Sequence, residues 1–183
     1  MNREEALQAV KNKVKNVNLI KHMLATEAIM RALAKRFGED EEVWGLTGLL
    51  HDIDVELTQD RPSDHSRIGA ELAAELGAAP EICHAIMCHN WAHGIPPATL
   101  LDRALLCTDP LTGLIIAGAL VRPDKKLAGL TAESLMKRFG ERRFAAGASR
   151  EQIASCRDIG ITLDEFIALG LEAMQGISDE LGL

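Results

Sequence analysis

Apolar residues recur along this chain at three- and four-residue spacing, broken at glycine, proline and short polar runs. That period places a stripe of side chains on one face of a helix. Residues 3–15 read as a modest amphipathic helix. A second spans Asn18 to Phe37, with Asn18 as its cap, Gly38 as its stop, and Leu19, Met23, Met30 and Leu33 on one stripe. A third runs from Glu41 to Asp52 and carries Val43, Trp44, Leu46, Leu49 and Leu50. TQDRPSD forms a loop, and a fourth helix extends from His65 to Leu76. Pro80 opens a fifth that ends near Asn90, and Ala98 to Val121 form a long apolar sixth. Thr131 caps a helix over 132–139, Ser149 with Gln152 sets a capping box, and Thr162 with Glu165 sets another for the last helix. No strand-like alternation and no internal repeat appears. The pattern predicts an all-α bundle: residues 1–123 as the core, 124–183 as a helical extension packed on the same domain.

Composition narrows the function. Of 183 residues, 47% are hydrophobic and 26% charged, the balance of a globular domain. The net charge of −7 and the scarcity of aromatic residues argue against gripping a nucleic-acid polymer. No signal-like N-terminus is seen, and the apolar run at 111–121 is too short to span a bilayer, so the expectation is a cytoplasmic protein off the membrane. Its four cysteines form no CxxC pair and read as reduced, buried small side chains.

The histidines change the picture. His22, His51, His65 and His89, four of the six in the chain, form with Asp52 and Asp109 an ordered series across successive helices. The stretch GLLHDIDVEL ends an apolar run on His51-Asp52, and burying that pair is costly unless each polar group has a partner. One histidine alone is more often a satisfied core residue than a ligand. Six imidazoles and carboxylates aimed from neighbouring helices into one space suit a transition metal better, and a carboxylate can bridge two ions. Asp54 reads as a partner for a ligand histidine and Glu56 as solvated; His84 is off the ligand face and structural. His93, beside Trp91, is a candidate to line the pocket. Arg122, Lys125 and Lys126, with Arg143 further on, are candidate phosphate contacts.

KHMLATEAIMRALA, GLLHDID, DHSRIGAELA, AIMCHN and CTDPLTGLI together resemble the HD-domain superfamily of metal-dependent phosphohydrolases, and among them the small bacterial HDIG-type proteins. The resemblance covers roughly residues 18–123. It implies that His22, His51, Asp52 and Asp109 hold a first metal and that His65 and His89 hold a second, bridged by Asp52. The cofactor implied is one or two divalent ions, Fe or Mn first, with Zn, Ni and Co behind. Asp54 stands where the family commonly has Gly, and Val55 where Lys often follows. The activity implied is hydrolysis of a phosphomonoester or phosphodiester, with a nucleotide as the candidate small-molecule substrate and water activated at the metal as the attacking group. His51, Asp52 and Asp54 are the candidate catalytic residues. The same ligand set also resembles that of di-iron oxygenases, and a non-catalytic ligand-sensing module is a third reading; a homodimer is left open.

Overall fold

Asn2 and Glu5 form a reciprocal capping box that starts α1 (Arg3–Lys13). α2 (Val17–Phe37) is capped by Asn16 rather than Asn18 and stops at Gly38, whose φ of 73° suits a residue without a Cβ. Asp40 caps α3 (Glu41–Leu50) through the N–H groups of Glu42 and Val43. In this computed structural model, which describes all of residues 1–183, the remaining helices are α4 (Arg67–Glu75), α5 (Pro80–His89), α6 (Leu100–Leu120), α7 (Ala132–Phe139), α8 (Arg150–Ala154), α9 (Leu163–Gln175) and α10 (Ser178–Leu181). Short 3-10 turns cover Trp91–His93 and Ser155–Ile159. There is no strand, and the all-α expectation holds.

Several boundaries move, each for a local reason. α6 starts at Leu100 because Thr99 and Asp102 make a capping box that the sequence reading missed. The last predicted helix divides at Gly176 into α9 and α10. Ser149 accepts from the Gln152 N–H without the reciprocal bond, so it is a one-sided cap. α3 gives way after Leu50 to turns in which the Ile53 N–H donates to Leu50 O and the Val55 N–H to Asp52 O. His51 and Asp52 therefore leave the helix end on a tightened path rather than inside the last α-turn.

Burial follows the stripes. One continuous hydrophobic cluster takes in residues from Ala6 to Leu181, including Met23, Ile29, Leu49, Ile86, Leu111, Ile115 and Phe166. α6 is long and apolar enough to cross a membrane by length and composition, yet most of its apolar window lies within this core. It also passes through Pro110 as one helix. α2 packs on α3, and both lie against α6, while α9 covers α2 and α6 from the other side. α2 and α3 approach closely at Gly48, where an added Cβ would lie 2.8 Å from the backbone N of Glu27. α1 is fastened by Arg3, which donates to buried Glu27 at 2.6 and 3.0 Å.

Candidate metal centre

Five helices or their ends deliver six side chains to one point. His22 comes from the first half of α2, His51 and Asp52 from the end of α3, His65 from the turn before α4, His89 from the last turn of α5, and Asp109 from the middle of α6. His51 is fully buried and His89 nearly so.

The two oxygens of Asp52 face different histidines. Oδ2 lies 3.5 Å from His51 Nε2 and 3.6 Å from His22 Nε2. Oδ1 lies 3.3 Å from His65 Nε2 and 3.4 Å from His89 Nε2. Asp109 Oδ1 joins the first group, 3.1 Å from His22 Nε2 and 3.9 Å from His51 Nε2. Donors held at roughly 2.0–2.2 Å from one ion stand about 3–3.6 Å apart, so most of these spacings are those of shared coordination spheres.

The far nitrogen of each imidazole is already committed. His51 Nδ1 donates to Gly48 O at 2.8 Å, and His89 Nδ1 donates to Ile86 O at 2.6 Å. His65 Nδ1 donates to Asp54 Oδ1 at 3.0 Å. His22 Nδ1 meets Thr112 Oγ1 at 2.8 Å, and that hydroxyl itself donates to Asp109 O. With every Nδ1 carrying its proton outward, each Nε2 lone pair points into the centre, the tautomer a metal ligand requires. His22 Nε2 and His51 Nε2 stand only 3.1 Å apart, so two lone pairs face each other unless a cation lies between them. The donor set and this close approach, which a shared proton or a metal ion would relieve, fit a bound metal ion.

The electrostatics agree. Burial opposes the charge of Asp52, but His51, His65 and His89 hold its carboxyl well below the usual range. Burial also opposes charge on Asp109, which His22 nevertheless keeps low. Burial pushes the His51 imidazole down and keeps it neutral. For His65, burial is outweighed by hydrogen bonds to Asp52 and Asp54, and its pKa is pushed up to about 10. His22 and His89 rise as well, burial being overcome by Asp109 and Asp52 respectively. Without a metal, protons are the cations this pocket gathers.

Asp54, a candidate catalytic residue by sequence, stands behind His65, and its carboxylate does not line the cavity. It is fully buried and accepts from the backbone N–H groups of Ser66 and Gly69, both at 2.8 Å, besides His65. These N–H groups belong to the first turn of α4, so a carboxylate from the α3–α4 connection caps α4 from outside. Ser66, at φ 68°, is outside helical backbone and makes no side-chain cap, so α4 starts at Arg67 instead of at His65, with Asp54 taking its first N–H groups. A Cβ at Gly69 would meet Asp54 Oδ1 at 3.0 Å. The acid at the family's glycine position thus aims a candidate ligand.

Other expected contacts are not brought to the centre. His93 Nε2 donates to His65 O at 2.6 Å and does not line the cavity. Arg122 forms a two-pronged pair with Asp124 at 3.0 and 3.1 Å, and neither it nor Lys125, Lys126 or Arg143 lines the cavity. His84 lies away from the centre, 3.1 Å from Asp102, and links α5 to α6. Glu56 accepts from the Lys15 and Asn16 N–H groups and fixes the α1–α2 linker.

The cavity over the centre has a volume of about 410 Å³ and is lined by Asp52, His65, His89 and Asp109 together with Asn90, Trp91, Ser149, Glu151 and Gln152. The last three reach it through the packing of α8 against α6, and no local sequence signal marks them. Thr112 could have been read from the sequence, three residues beyond Asp109 on the same helix face.

The family model described as HD domain matches residues 19–126. Among curated proteins, Ribonuclease Y of Sulfurovum sp. (strain NBC37-1) is 29% identical over 168 residues, covering 90% of this chain and 32% of that protein. Ribonuclease Y of Geotalea uraniireducens (strain Rf4) is 33% identical over 163 residues, covering 89% of this chain and 27% of that one. The chain therefore spans about a third of the length of these relatives. No solved structure matches it significantly. The match covers more than half of the chain and includes all six converging side chains: this protein belongs to the HD domain family and is distantly related to the HD region of Ribonuclease Y.

Proposed function

We propose that the chain is a metal-dependent phosphohydrolase acting on the phosphate ester of a small nucleotide. The observation that carries this reading is the division of Asp52, one oxygen toward His22 and His51 and the other toward His65 and His89. His22, His51, Asp52 and Asp109 would hold one divalent ion; Asp52, His65 and His89 would hold a second. Bound there, such ions activate water as a nucleophile and neutralise charge on phosphoryl oxygens.

The chain's own groups do the rest. His51 is buried and neutral, so it binds without competing for a proton. Thr112, Gly48, Ile86 and Asp54 fix the four rings, which leaves little motion to freeze when substrate arrives. The cavity lining contains Asp52, Asp109 and Glu151 and no lysine or arginine. A phosphate entering such a pocket needs a cation there to reverse the field. The relatives' name, Ribonuclease Y, suggests a phosphodiester of RNA as the bond. The acidic lining and the net charge of −7 favour a small nucleotide over a long polyanion.

The test is release of phosphate from a panel of nucleoside monophosphates, and of nucleotides from short oligonucleotides, by Mn-loaded protein under anaerobic conditions. Hydrolysis there, lost in Asp52→Asn, supports the reading. Iron-dependent oxygen uptake without phosphate release would replace it with the oxygenase reading.

A further inference from the structure

A second cavity opens beside the metal pocket and has no part in holding the ions. Its volume is about 700 Å³, and its walls are Trp91, Ile95, Pro96, Pro97 and Leu106 on one side and the 3-10 turn at Ser155–Ile159 on the other. Trp91 and Glu151 line both cavities, so the two adjoin across these side chains. Trp91 is the one aromatic among the large apolar side chains left exposed, at 55% of its surface. An indole left open to water at a pocket junction gains by covering its face with a flat ring. The far wall is polar: Arg157 uses Nε on Ala154 O, its terminal nitrogens are free, and the Asp158 carboxylate has no hydrogen-bond partner. Apolar walls with a few polar groups at one edge, in a volume of this size, are the usual make-up of a small-molecule site.

We infer that this cavity binds the nucleoside half of the substrate, its base against Trp91 and its polar edge toward Arg157 and Asp158, with the ester phosphate on Asp52 and its partners. The assignment deepens the hydrolase reading and rests on it for the phosphate alone. An apolar wall and an indole give no advantage to glycerol or another small polar alcohol, so the cavity selects among phosphate esters by what the phosphate is attached to. It also gives the segment beyond residue 126 a task, since Arg157 and Asp158 lie past the end of the match to the HD domain model.

The test uses Mn-loaded full-length protein carrying Trp44→Phe, which leaves Trp91 as the only tryptophan; Trp44 is buried against Phe37 and touches neither cavity. Adenosine, which has no phosphate, is expected to quench Trp91 emission saturably. Adenosine monophosphate is expected to be hydrolysed with a KM lower than that of glycerol 3-phosphate. Trp91→Ala is expected to raise the first KM about tenfold and the second far less, with the metal content unchanged and with Trp91→Phe restoring most of the loss. No quenching by adenosine, together with equal effects of Trp91→Ala on both substrates, overturns the inference. A gain from a long-chain alkyl phosphate instead of the nucleotide also overturns it, by making the occupant an apolar tail. Saturable quenching by adenosine in a protein that hydrolyses none of these esters supports the cavity assignment while ending the hydrolase reading.

Discussion

Asp54 Oδ1 accepts the Nδ1 proton of His65 at 3.0 Å, and through that bond the side chain that replaces a glycine of the family pattern directs a candidate metal ligand. Asp54→Asn keeps the shape and removes the charge, and its amide cannot accept all three donors. The ion on the His65–His89 side is expected to bind about 10–100-fold more weakly while the other is retained. Elemental analysis across a dilution series checks this: a fall from two ions to one per chain is expected, and loss of both together would contradict it.

Gly48 sets how closely α2 and α3 approach. A Cβ there would press on the backbone N of Glu27 at 2.8 Å, and only movement of a helix can relieve that contact. Gly48→Ala is expected to cost about 1–3 kcal/mol of stability. It should also widen the 3.1 Å gap between His22 and His51 and weaken metal binding, which thermal denaturation with and without Mn would show.

The response to pH has a definite sign. His65 is raised from 6.5 to about 10, burial being overcome by Asp52 and Asp54. A group raised in the folded state contributes stability fully below its unfolded pKa and loses it as pH climbs through the folded one. Metal-free protein should therefore lose stability from His65 between about pH 6.5 and 10. Asp52, held low, contributes above its unfolded value of 3.8 and loses that only in strong acid. Metal needs the neutral imidazole, so loading at pH 7 should expel protons and tighten as pH rises. Calorimetric titrations with Mn in buffers of different ionisation enthalpy measure the protons released; a value of zero would contradict the assignment of His65 as a ligand.

The basic cluster after α6 is expected to be silent. Arg122 is engaged by Asp124, and Lys125 and Lys126 are exposed away from both cavities. The triple alanine variant should leave kcat and KM for a phosphate ester unchanged within error. A rise in KM would restore these residues as substrate contacts.

The helices and the metal centre were legible for different reasons. Stripes such as Leu19, Met23, Met30 and Leu33 carry the helix period in the residues themselves, and the six ligand types carry their chemistry whatever their surroundings. A local stop was readable at Gly38, whereas the local caps Asn16 and Thr99 were passed over, and the start of α4 has no local signal because Asp54, 12 residues before Ser66, takes its first N–H groups. Asp54 was legible as a partner for histidine but not as a buried cap, since that depends on where α4 lands. Arg122 looked available because its charge is visible in the sequence and its two-pronged bond to Asp124 is not. Glu151 and Trp91 meet across the cavity only through the packing of α8 on α6.

That packing lays a later stretch of the chain over a centre that an earlier stretch builds. Every converging imidazole and carboxylate falls within residues 19–126, whereas Ser149, Glu151, Gln152, Arg157 and Asp158 follow it. Mutation in the later stretch can reshape what is admitted to the mouth of the centre without disturbing the machinery at its floor.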